Sequence, residues 1–419
     1  MPTFTHRNRR ADRPDGGQSI ERKAPAGRDW AIDATRGLAI WSMVAAHFAG
    51  AKSWLGRPTH SYPYVDGMAA FVLLSGLVLG IVYGGWIARR GWGFTYRRLG
   101  KRLVVLYLCQ LLICLVAVAA GLAGYYDLVK LRPVNDAETG IGLSLLLRYL
   151  PSGGDILLMY LVFLAAAGLM LPLLKRGLGW LVLLGSVALY AYSQINSPAW
   201  FFITSSPGRR WIGSPDWSDW WTIAFGGLDI QNWAAWQIMF FPALVLGWYW
   251  RRWKVDEWLV RRLPWLLLAA TVGWFVLYFS FKAGPWHHIE YKVADKVDFR
   301  IARVFASWLA VAAIYGTFAW LLAHLRRRNW LRPLIMTGAR SLDSYVLQAV
   351  LLVAIPIFLV ARPWSWWMTG LITVGVFGLC WLWAEFRRAL LVDKLHRLPV
   401  IVADRLRSTV VHRRSRMNR

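Results

Sequence analysis

The stretch RDWAIDATRGLAIWSMVAAHFAG, residues 28–50, decides the fold class. From Ala31 to Ala49 it is long enough to cross a bilayer as a helix, because about 20 residues at about 1.5 Å each match the hydrocarbon thickness. Yet it holds Asp33, Arg36 and His47. An ionisable group at such depth costs about 2.5–3.5 kcal/mol on insertion scales unless it is paired or faces a wet interior. Asp33 and Arg36 are three residues apart and can meet on one helix face. Arg36 and His47 are eleven apart, which at about 100° per residue returns to within about 20° of the same face, about 16 Å farther along. One stripe therefore carries an acid, a guanidinium and an imidazole. Snorkelling to the headgroups accounts for Arg36 alone; the three together require a polar interior.

The rest of the chain repeats this apolar pattern. Hydrophobic residues are 57% of the 419 and charged residues only 17%, where soluble domains carry about a quarter charged. Span-sized windows fall at 31–49, 67–86, 103–124, 155–174, 178–195, 233–250, 264–283, 301–323, 342–361 and 367–385. The expected fold is all-α, a polytopic membrane helix bundle of about ten transmembrane helices. Strict polar/apolar alternation is missing, which argues against a membrane β-barrel. With the N-terminus inside, 34 of the 49 Lys and Arg fall in inner segments and 11 in outer ones. That bias predicts both termini in the cytoplasm and a place in the inner membrane.

Residues 1–28 read as a disordered basic cytoplasmic tail, 29–386 as the transmembrane domain, and 387–419 as a basic amphipathic cytoplasmic tail lying on the membrane surface. The first tail shows no cleavable signal. The formal charge of +27 would suggest nucleic acid in a soluble protein. Here the basic residues flank apolar runs, so anionic lipids are the expected partner and no nucleic acid is expected. Cys109, Cys114 and Cys380 lie inside apolar runs and suggest no pairing.

Further polar positions mark candidate sites. The second span opens at Asp66 and contains FVLLSGLVLG, residues 71–80. Gly76 and Gly80 allow close helix approach, while Ser75 fits either packing or the site. Arg97, Arg98, Lys101 and Arg102 cluster just after it. An inner-face anchor explains their side, and their density also suits the phosphates of a nucleotide-bearing donor. Asp155, Asn232, Gln237 and Asp343 each open a span; as single residues they suit helix caps or interhelical bonds, and with Asp66 and Ser75 they are candidates for the pore or the acceptor side. The aromatic loop at 196–232 reads as an interfacial belt or, more sharply, as a platform for sugar rings. His287, His288, Glu290 and Asp295 match no recognised metal spacing, and no metal is expected. Walker, Rossmann, nucleophile-elbow and zincin patterns are missing from the sequence.

These segments resemble the acyltransferase-3 superfamily. Arg36, ten residues, then His47 fits its first-span hallmark, and Phe71, Ser75 and Gly76 fit its Phe-x-x-x-Ser-Gly motif. GGDILLMYLVFL, QNWAAWQIMFFPALVLGW and GARSLDSYVLQAVLL extend the likeness, over about residues 28–385, to the OpgC-like branch that decorates periplasmic glucans with succinyl groups. The Trp-rich outer loop and Arg340, where that branch usually has Asn, depart from the pattern. The resemblance implies a membrane O-acyltransferase. It would move succinyl or acetyl from cytoplasmic succinyl-CoA or acetyl-CoA to a hydroxyl of an envelope glycan or glycolipid. No bound cofactor is implied. His47 would be the catalytic base with Arg36 essential beside it, and Asp33 would fix the direction of Arg36. The rival reading is a transporter or flippase of lipid-linked sugar or polysaccharide, although no pair of Gly/Pro-broken spans in matching halves supports one. The oligomeric state is not legible.

Overall fold

Asp29 sets where the chain enters its first helix. Its Oδ1 accepts the N–H groups of Ala31 and Ile32 at 2.9 and 3.2 Å, satisfying donors that a helix start leaves unbonded. Helix α1, Trp30–Val44, follows and runs on as a single π turn over Ala45–Ala49. The computed structural model describes residues 28–49, 64–125, 136–147, 149, 151, 155–195, 202–203, 231–282, 284–296, 298–325, 329–358 and 365–389. The tails expected at 1–28 and 387–419 lie outside this set but for residues 28 and 387–389, as does most of the aromatic loop.

Helix α2, Gly67–Leu122, is 56 residues long, far beyond one bilayer crossing of about 20. Gly91, at φ 76 and ψ −177, interrupts it. A side chain would be strained there, so the one residue without a Cβ divides the element into two limbs. These limbs correspond to the windows at 67–86 and 103–124.

Next come α3 (Ala137–Leu145), α4 (Asp155–Lys175) and α5 (Gly179–Ile195). Strands β1 (Phe202–Ile203) and β2 (Gln231–Asn232) form a two-residue antiparallel pair with Phe202 opposite Asn232. Apart from that pair the described elements are helical. They continue with α6 (Trp233–Tyr249), α7 (Val255–Arg261) and α8 (Leu263–Leu277), then the short α9 (Glu290–Ala294) and the long α10 (Ile301–His324). The series closes with α11 (Arg332–Ala339), α12 (Ser341–Phe358) and α13 (Trp366–Ala389).

Five described helices are long and apolar enough to cross a membrane, or six if the pair around α11 and α12, bent by 80°, is one span. The expected windows at 31–49, 178–195 and 233–250 fall on helices of 15 or 17 residues, the first lengthened by its π turn.

The core sits where α2 and α6 lie side by side. Helix α6 is buried almost all round, whereas only Leu263 of α8 is buried. A Cβ on Gly76 or Gly80 would collide with the carbonyls of Phe240 and Leu244, and one on Gly247 with that of Leu77. The G-x-x-x-G spacing is thus a packing device, bringing two backbones together where larger residues could not fit. Gly37 on α1 and Gly338 on α11 meet Leu334 and Asp33 in the same way. They press the bend between α11 and α12 against the polar stretch of α1.

A candidate site along the first helix

Two polar clusters touch α1, and they draw on different elements. In the first, Arg36 donates through Nη2 to Ser341 Oγ, the first residue of α12. Its guanidinium lies 5.9 Å from the Phe71 ring centroid. Phe71 stacks on Tyr345 at 5.9 Å and meets Tyr160 edge-on at 6.3 Å. From α2, Arg102 covers the Tyr160 ring at 5.5 Å and hydrogen-bonds the Tyr83 phenol. Arg36 and Arg102 are close enough to repel one another. Two cations and three tyrosines therefore share one buried layer, in which aromatic faces offset part of the repulsion. Tyr160 Oη, Ser75 Oγ and Arg36 Nε are buried there without a hydrogen-bond partner.

Asp33 does not serve Arg36 directly. It takes Nε of Arg28 at 2.5 Å, because Arg28 precedes the helix and can fold back over its first turn.

The second cluster belongs to His47. The imidazole is exposed although Val44, Ala45, Phe48 and Ala49 around it are buried. The π turn positions it: i→i+5 bonding underwinds the chain, so His47 lags behind the direction an unbroken α-helix would give. The turn packs on α13, with Trp41 edge-on to Phe377 at 5.2 Å. The cation that acts on His47 is Lys296, and Lys296 is itself held 3.2 Å from Asp66 Oδ2.

Asp66 caps α2 by accepting from Ala69 N at 2.9 Å. Burial opposes its ionisation, but Lys296, the Ala69 N–H and Arg303 outweigh that and hold the carboxyl below its ordinary value. Beside it Tyr64 donates to Glu290 Oε1 at 3.2 Å, and Arg303 lies 5.7 Å over the Tyr64 ring. Burial, helped by Glu290, pushes the Tyr64 phenol up.

The remaining sequence candidates separate. Arg97, Arg98 and Lys101 are exposed, whereas Arg102 turns inward and is half-buried. Arg90 and Arg98 approach the Phe94 ring at 4.7 and 5.2 Å. Asn232 caps α6 through Ala235 N and donates to Asp298 Oδ1 at 3.2 Å. Gln237 is locked to Ser186 by bonds of 2.6 and 2.7 Å, bracing α5 on α6. Asp343 pairs with Arg387, a bond that ties α12 to α13. Asp155 opens α4, and its side chain lies outside the described residues, as does that of His287. His288 Nδ1 faces Pro285 O at 3.1 Å. No group of three or more His, Cys, Asp or Glu among the described residues is placed to hold a metal.

Spacing on the sequence did not single out Lys296, Arg303, Tyr64, Tyr83 or Ser341. Lys296 and Asp66 are 230 positions apart, and no local pattern joins them.

A sequence family described as OpgC protein matches residues 28–390, which takes in both clusters. No curated protein matches the chain.

Proposed function

The chain belongs to the OpgC protein family, and from that premise we propose that it is an inner-membrane O-acyltransferase. It takes succinyl or acetyl from cytoplasmic acyl-CoA and passes it to a hydroxyl of an envelope carbohydrate. The observation that carries this reading is the exposed surface of His47, on a turn whose other side chains are mostly buried.

Arg97, Arg98 and Lys101 are free to meet the phosphates of the donor at the inner face. Arg102 and then Arg36 continue the line of positive charge into the bundle, and the pantetheine arm follows it towards His47. Neutral His47 accepts the proton of the acceptor hydroxyl as the oxygen attacks the thioester carbonyl. The tetrahedral intermediate collapses, the carbon–sulfur bond breaks, and the imidazolium returns the proton to the departing thiolate. An acyl-histidine route uses the same residue as nucleophile. With the basic segments on the cytoplasmic side, as the charge bias predicts, donor and acceptor enter from opposite faces.

The bend between α11 and α12 is the one feature that favours the transporter reading, since broken helices line substrate paths in carriers. Purified protein in vesicles separates the two. Supplied with acyl-CoA and a glucan, the wild type should release free CoA only when the acceptor is present, and His47→Ala should not. Glucan movement without any thioester requirement would instead establish transport.

A further inference from the structure

One cavity remains outside this scheme. It has a volume of about 400 Å³ and lies between α2, α6, α7 and α10, with Leu77, Trp250, Trp253, Trp258, Trp308 and Ala312 among its lining. The walls are almost wholly apolar, and Tyr315, which donates to Asp29 at 2.8 Å, is among them.

Its position along the membrane normal sets what fits. Trp308 to Tyr315 lie in the middle of the 24-residue α10, while Trp250 and Trp253 lie just past the end of α6. The cavity therefore runs from the middle of the bilayer to one interface, about 15 Å, the depth of one leaflet's acyl chains. Trp253 and Trp258 are 54% and 53% exposed at that end, the level at which tryptophan prefers to sit. The adjoining turn presents exposed Arg251, Arg252, Lys254, Arg261 and Arg262. Its acids are Asp256 and Glu257, the latter 3.8 Å from Lys254, so positive charge remains in excess.

From this match of an apolar groove to a basic mouth, we infer that the cavity is a binding site for one anionic phospholipid of the inner leaflet. One acyl chain fills the groove, and the phosphate faces Arg251 and Arg252. Basic pockets between membrane helices at the cytoplasmic side hold anionic headgroups by this combination. The inference does not depend on acyl transfer.

Photolabelling of the full-length protein in nanodiscs tests it. Phosphatidylglycerol with a diazirine in one chain should label peptides covering Trp308–Tyr315 and Trp250–Leu259, in preference to phosphatidylethanolamine of the same chains. Ala312→Phe should abolish labelling there. Arg251→Gln with Arg252→Gln, on exposed residues that leave the fold intact, should keep the tail labelling but erase the preference, about fivefold per cation removed. Equal labelling by both lipids in the wild type would overturn the inference. So would a palmitoyl-CoA probe that labels these peptides and is not displaced by phosphatidylglycerol, because the groove would then be a donor site. The vesicle assay for acyl transfer reads out separately from either result.

Discussion

The two ends of α1 are built on opposite principles. Around Arg36 the helix is clamped: Gly37 and Gly338 let backbones touch, Ser341 takes the guanidinium, and the Phe71 ring, stacked on Tyr345, lies over it. Around His47 the helix is underwound and the imidazole stands open, served by a lysine that another residue holds. A clamped end fixes a charge in place, and an open end leaves room for reactants. One helix can thus carry a fixed anchor and an accessible reacting group, about 16 Å apart along its axis.

The sharpest way to break this comparison is at the open end. His47→Ala should lower acyl transfer by about 10²–10⁴-fold, the usual contribution of a general base, without moving the melting temperature. A large loss of stability would instead make His47 part of the packing. At the clamped end Gly338→Ala should do the reverse. Its new methyl meets the Asp33 carbonyl, so thermal unfolding should report a loss of about 1–3 kcal/mol, and an unchanged melting curve would show that the backbones are not in contact.

Asp66→Asn gives a smaller effect with a definite pH signature. The native carboxyl is held below its ordinary value by Lys296 and the Ala69 N–H acting against burial. Its stabilisation is therefore present above the unfolded pKa, near 3.9, and is lost as pH falls through the lower folded value. The variant should be less stable at pH 7, by up to about 1 kcal/mol since Lys296 is half exposed. The gap should close below about pH 4, and a gap that widens on acidification would contradict the pairing. Smallest of all is Glu385→Gln. It removes the charge and one of the two acceptors that Arg332 meets at 2.5 and 2.9 Å, but Arg332 is exposed, so calorimetry should find less than about 1 kcal/mol.

Much of this was legible along the chain, and the boundary between read and unread is physical. Gly76 and Gly80 were readable as a packing pair because small residues four apart mark one helix face whatever lies opposite. The unusual polarity of α1 was readable because lipid penalises it. The partners were not. Asp33 and Arg36 are spaced to pair, yet Arg28 supplies the cation for one and Ser341, 305 positions away, the acceptor for the other. Arg102 sits in a run with Arg97, Arg98 and Lys101, and only the fold reveals that it alone turns inward. Hydropathy windows also miss interruptions: they place a span at 31–49 but cannot show the π turn that closes it, nor the bend that splits 329–357.

The underwound turn at Ala45–Ala49 makes the number of residues matter as much as their identity. A π turn holds one residue more than an α turn. Deleting Ala46 would let the turn close as an ordinary α turn, which keeps the register on either side but re-aims His47 within the turn by roughly 45° about the helix axis, pointing an intact imidazole away from its place. Such a deletion, which removes no functional group, should silence transfer as completely as replacing the histidine itself.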